Sequence, residues 1–171
     1  MTPPTEPTEP PDHVGRILEQ WQRERPDLDC SPMGVIGRLH RLARMLDEAL
    51  RPVFAEAGLG DGDFDVLASL RRSGTPYELS PGDLAATTMV TSGAVSKRLD
   101  RLQSAGYVAR ERAAGDGRGR VVRLTDAGLA LVDRLVEQHV ANEHRLLAGL
   151  APSERRQLAG LLERWGRTLD D

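Results

Sequence analysis

Lys97 and Arg101 stand one helical turn apart in the stretch SGAVSKRLDRLQ. Ahead of them run Ser92, Gly93 and Ala94, three residues small enough to let a helix approach a surface closely. Long cations beside small side chains suit one chemistry: charge-assisted bonds to phosphate oxygens and forked bonds to base edges. Ser96 adds a short hydroxyl at the margin of the same face. Further along, Gly115, Gly117 and Gly119 surround Asp116 and Arg118, and Arg120 follows. At the tip of a flexible hairpin, Arg118 is expected to enter a minor groove while Asp116 fixes its guanidinium by a forked hydrogen bond. From Ser92 to Arg123 there are eight Lys/Arg and three acids, a net of +5, whereas the whole chain is −3, so the remainder is −8. A basic island on an acidic background is the electrostatic footprint of a module that grips nucleic acid.

These residues need elements that aim them. Val95, Leu99 and Leu102 recur at one-face helical spacing and should face a core, which turns Gly93, Lys97, Asp100 and Arg101 outward. Upstream, Ser80 reads as an N-cap and Pro81 as the first helical residue of a short helix over about 81–87. That helix, a turn near 88–91 and a helix over about 91–105 make a helix-turn-helix, whose second helix enters the major groove. Gly106 suits the left-handed position that ends such a helix. Residues 107–112 and 120–124 flank the glycine loop and predict a two-stranded wing. Thr125 caps a long helix of about 126–148, and Pro152 opens a last one of about 152–168.

The N-terminal part differs in composition. Residues 1–12 carry five prolines and two glutamates and are expected to be a disordered tail. Val14, Ile17, Leu18 and Trp21 predict a helix over about 13–24, and a longer amphipathic helix follows over about 33–57, with Pro52 inside it as an expected kink or boundary. After Gly58–Gly62, FDVLASLRR predicts a helix over about 62–72. The expected organisation is a tail (1–12), N-terminal helices for effector binding or dimerisation (13–57), a winged helix-turn-helix (58–125) and C-terminal dimerisation helices (126–171). The fold class is mainly α. With 39% hydrophobic but only 4% aromatic residues, the core is built from Leu, Val and Ala.

Several functions are disfavoured. There is no phosphate loop, no GxSxG and no HExxH, so catalysis lacks a motif. His139 and His144 are five apart, off a common helical face, and no Cys/His cluster has zinc spacing, so neither a metal nor another cofactor is expected. A single cysteine, Cys30, agrees with a reducing cytoplasm, and no apolar run reaches membrane-spanning length. Cys30 as a redox sensor has no neighbouring tyrosine or second thiol to support it.

The stretch LSPGDLAATTMVTSGAVSKRLDRLQSAGYVARERAAGDGRGRVVRLTDAG resembles the winged helix-turn-helix of the MarR family of bacterial transcription regulators. Its signature is an Asp-x-Arg wing followed by R-x-x-x-L-T-x-x-G, here Arg120, Leu124, Thr125 and Gly128. The similarity spans roughly residues 33–169. It implies a cytoplasmic homodimer on double-stranded, pseudo-palindromic DNA, most often as a repressor. The chain is most similar to the urate-responsive branch, which has an added N-terminal helix. Trp21, Asp65, Arg98 and Arg110 match residues that bind a planar anionic purine product there, although Lys97 stands where that branch carries asparagine. A flat anion does need an aromatic face and forked guanidinium donors, and a coupling of about 1–3 kcal/mol would make a useful switch. Two other classes remain: an effector-independent or thiol-responsive DNA-binding protein, and a winged helix that contacts protein, for which DNA affinity would not fall with salt.

Overall fold

The computed structural model describes residues 10–60, 62–88, 92–112 and 120–169. The chain divides into two compact units, Met1–Ala49 and Leu50–Asp171. Residues 1–9 of the expected tail lie outside the described residues.

The first unit is a helical hairpin of α1 (His13–Glu24) and the leading part of α2 (Ser31–Ala55). Asp12 begins α1 by accepting the Gly15 N–H at 2.7 Å, satisfying one of the open donors of a helix start. The same carboxylate takes the Arg38 guanidinium of α2 at 2.8 and 3.0 Å. That hydrogen bond holds the Asp12 carboxyl below the usual carboxylate range. Gly34 and Gly37 let the two helices close: a Cβ at either would stand 3.3 Å from Leu18 or Val14. The expectation over 33–57 is met two residues early at both ends. Pro32 explains the start, since its missing N–H is harmless in a first turn, and the helix continues through Pro52 instead of stopping there.

The second unit carries the winged helix. Its elements are the end of α2, α3 (Asp63–Arg72), β1 (Glu78–Leu79), α4 (Pro81–Thr87), α5 (Ser92–Ser104), β2 (Val108–Arg112), β3 (Arg120–Leu124), α6 (Asp126–Leu146) and α7 (Pro152–Arg167). The core is aliphatic, with Val66, Leu67, Leu70, Leu84, Val95, Leu99, Leu102, Val122, Val132 and Leu135 all buried. At its edge Phe54 stacks on Phe64 at 4.6 Å, and the His139 ring lies 5.1 to 5.3 Å from both.

The expected two-stranded wing gains a third strand. The wing hairpin β2–β3 is present, but the sheet has three antiparallel strands in the order β1-β3-β2. β1 is two residues long, too short for a period-2 pattern to register in a sequence. It is held by pairing with β3, Glu78 opposite Arg123 and Leu79 opposite Val122. The Arg123 guanidinium donates to Glu78 at 2.6 and 2.8 Å, so a charge pair replaces the missing length.

Helix α7 has no buried residue, and Leu158, Leu161 and Leu162 are exposed. On α6, Val136 and Val140 are exposed too. Among the described residues no helix is long and apolar enough to cross a membrane, and no His/Cys/Asp/Glu cluster has metal-binding geometry.

Candidate nucleic-acid interface

Local capping fixes the first helix of the pair. The Ser80 hydroxyl accepts the Asp83 N–H at 3.1 Å and donates to the Asp83 carboxylate at 2.7 Å. Leu84 of α4 is fully buried. At the other end, the Thr87 carbonyl accepts from Ser69 and Arg72 of α3, both at 3.3 Å. The start of the turn is thereby tied to α3.

Helix α5 presents the face the wheel predicted. Val95, Leu99 and Leu102 are 1 to 3% exposed, whereas Ser96, Lys97, Asp100 and Arg101 are exposed. Ser92, Gly93 and Ala94 lie in the first turn of α5, with side chains outside the described residues. Asp116 and Arg118 are also outside them, while Arg120 is exposed and pairs opposite Arg112 in the last register pair before the wing loop. Gly106 adopts φ 77° as expected, and Tyr107 N–H closes the helix on the Leu102 carbonyl at 2.9 Å.

The charges are less free than the sequence sum implies. Arg101 forks onto Asp63, with Nη2 2.7 Å from Oδ1 and Nε 3.3 Å from Oδ2. This bond, and then the carboxylate's charge, raises the Arg101 pKa above its ordinary value. Arg110 of β2 donates to Asp100 at 2.6 Å and to the Ser96 carbonyl at 3.4 Å. Arg123 is held by Glu78, with Glu111 3.7 Å away. Lys97 and Arg120 have no acidic partner among the described residues.

Sequence reasoning missed Asp63, although it is only 2% exposed. The available signal was the pair of glycines just ahead of it, Gly60 and Gly62. Gly62 takes φ 75°, and a Cβ there would meet the Arg98 guanidinium at 2.6 to 2.8 Å. Gly60 donates its N–H to Asp63 at 2.7 Å. Gly62→Ala therefore combines a left-handed backbone, costing about 1–2 kcal/mol for a residue with a Cβ, with displacement of Arg98. Denaturant melts should show a loss of at least that size; an unchanged midpoint would refute the contact.

The signature ending in Gly128 also gains a physical basis. Thr125 Oγ1 accepts the Gly128 N–H at 3.0 Å, capping α6, and donates to the Gly106 carbonyl at 2.7 Å. A Cβ on Gly128 would lie 2.0 Å from the Tyr107 carbonyl oxygen.

The four residues matched to an anion site are distributed as follows. Trp21 belongs to the first unit and is 39% exposed. Asp65 and Arg98 are half-buried on α3 and α5. Arg98 lies against Gly62, whereas Arg110 bonds Ser96 and Asp100, two residues to either side of Arg98 on the helix. Two residues are 200° of helical rotation, so Arg98 and Arg110 meet different sides of α5.

Comparison with known proteins returns one family. Residues 57–119 match the model of the MarR family. The HTH-type transcriptional regulator PecS of Dickeya dadantii is 45% identical over 123 residues, 72% of this chain and 74% of its own length. Among solved structures, Bordetella bronchiseptica BpsR, described for regulation of its DNA binding by 6-hydroxynicotinic acid, superposes with TM-score 0.67 at 26% identity, covering 77% of this chain and 92% of BpsR. A MarR variant from E. coli complexed with operator DNA gives TM-score 0.66 at 27% identity, covering 84% of this chain and 96% of that one.

Proposed function

This chain belongs to the MarR family of transcription regulators, and from that premise we propose that it binds pseudo-palindromic DNA as a homodimer and is released by a small planar organic anion. The observation that carries the DNA reading is α5 itself, which buries Val95, Leu99 and Leu102 and turns Lys97 and Arg101 to solvent beside the wing. The likeness to a structure held on operator DNA supports the same orientation. The apolar residues exposed on α6 and α7 support a homodimer, since a second copy is the simplest cover for them.

The effector class is a flat, anionic, heteroaromatic acid, with urate as the first compound to try. Support comes from the resemblance that matches Trp21, Asp65, Arg98 and Arg110 to such a site, and from BpsR, whose DNA binding 6-hydroxynicotinic acid regulates. Such a ligand gains from forked guanidinium donors. Arg98 sits where an anion's pull is felt directly: it is carried by α5 and packed on the loop that opens α3. Repression is the proposed sense of regulation.

Binding to the promoter fragment flanking the gene, titrated with salt and then with urate, xanthine, salicylate and tricarboxylates, tests the whole reading. Affinity should fall linearly in log–log form as salt rises, because phosphate contacts release counterions. One anion should release the DNA in the wild type and fail to do so in Arg98→Ala and Trp21→Phe. Salt-independent binding would remove the DNA reading. Variants that respond like the wild type would remove the effector site.

A further inference from the structure

We propose that Asp63 is a positioning residue for DNA recognition: it holds one edge of the Arg101 guanidinium so that the other edge is presented to a backbone phosphate. The inference rests on the DNA-binding reading above and adds a residue on α3 that touches no nucleic acid.

A guanidinium has five N–H donors arranged as two usable forks. Asp63 occupies the fork made by Nε and Nη2, at 3.3 and 2.7 Å. Both Nη1 hydrogens and the second Nη2 hydrogen are left, and one from each nitrogen forms the outer fork. The two partners of the pair are unequally buried: the Asp63 side chain is 3% exposed and that of Arg101 is 57% exposed. The carboxylate is thus the fixed end and the outer fork is the wet end. Lysine has no second fork, so this arrangement requires arginine.

The seat for the carboxylate is built around it. Asp63 opens α3, where the helix dipole favours a negative charge, and the Gly60 N–H donates to Oδ2 at 2.7 Å. A Cβ on Gly60 would stand 3.1 Å from both Arg101 Nη2 and Asp63 Oδ2. The bare glycine backbone gives the pair its room. An arginine held this way loses less side-chain freedom on meeting a phosphate than one waving in solvent.

Electrostatics and positioning predict opposite signs, which makes the test decisive. Removing an acid near the interface should strengthen DNA binding if only charge matters, because the variant is more positive. The assay is fluorescence anisotropy with a duplex selected by the wild-type protein from a random pool, across a salt titration, with thermal melts confirming that each variant is folded. Asp63→Asn is expected to weaken binding about tenfold, and to cause no further loss in an Arg101→Ala background, since it acts through Arg101. Arg101→Lys is expected to keep the salt slope, which follows charge, and still to lose about tenfold in affinity.

Tighter or unchanged binding by Asp63→Asn overturns the proposal, as does an equal loss in the Arg101→Ala background. If Asp63→Asn does not fold, Arg101→Lys decides alone, and wild-type affinity in that variant overturns it. A wild-type protein that selects no duplex overturns the DNA-binding reading instead.

Discussion

Gly128→Ala is expected to destabilise the protein by about 3 kcal/mol, at the upper end of what added volume costs in a packed site. The Cβ would stand 2.0 Å from the Tyr107 carbonyl oxygen, an atom of the backbone that no rotamer change can move. Alanine is the better helix former by up to about 1 kcal/mol, so helix propensity alone predicts the opposite sign. The clash wins because Tyr107 is pinned from both sides. Its N–H closes α5 on Leu102, and its carbonyl accepts the Thr125 N–H at 3.1 Å. Relief therefore requires separating the wing from α6. A thermal melt should fall by roughly 10 °C on the usual scaling for a domain of this size, and a Tm within a degree or two of wild type would show that the junction yields easily.

Lys97→Glu is expected to abolish measurable operator binding at physiological salt while leaving the Tm unchanged. The side chain is exposed and has no acidic partner among the described residues, so the fold does not depend on it. Each phosphate contact contributes about 0.9 to the log–log salt slope. Extrapolated to about 0.15 M salt, losing one contact costs roughly fivefold and losing two, one per subunit, roughly thirtyfold. Reversing the charge adds repulsion of similar size, for a total on the order of a thousandfold. Lys97→Ala should show the smaller loss, with a slope reduced by about 2 for the dimer. Retention of wild-type affinity by Lys97→Glu would mean that α5 is not the element that meets DNA.

Much of the fold was legible because its signals are local. The Ser80 and Thr125 caps, Pro81 and Pro152 at first helical positions and Gly106 past the end of α5 all fell where short-range chemistry places them. The buried stripe Val95–Leu99–Leu102 followed from helical period alone. What could not be read was long-range pairing. β1 exists only through its bonds to β3, and nothing in Glu78–Leu79 announces a strand. Asp63 and Arg101 are 38 residues apart, and a sequence does not reveal which of many acids will reach a given arginine. For the same reason a wheel could place Arg101 on the outward face, but not assign Asp63 as the group that holds it. Arg110 was grouped with Arg98 by resemblance, and its bonds to Ser96 and Asp100 were equally out of reach of local pattern.

Helix α7 has no buried residue of its own, so the proposed homodimer makes its stability a matter of mass action. In the proposed homodimer the second copy covers this apolar surface, which contributes nothing to a lone chain, so dilution should loosen α7 before the winged helix. Its amides should then exchange faster as concentration falls, and the Tm should climb with concentration. The copy number of the regulator would thereby set how much of it is assembled and competent for a two-fold operator.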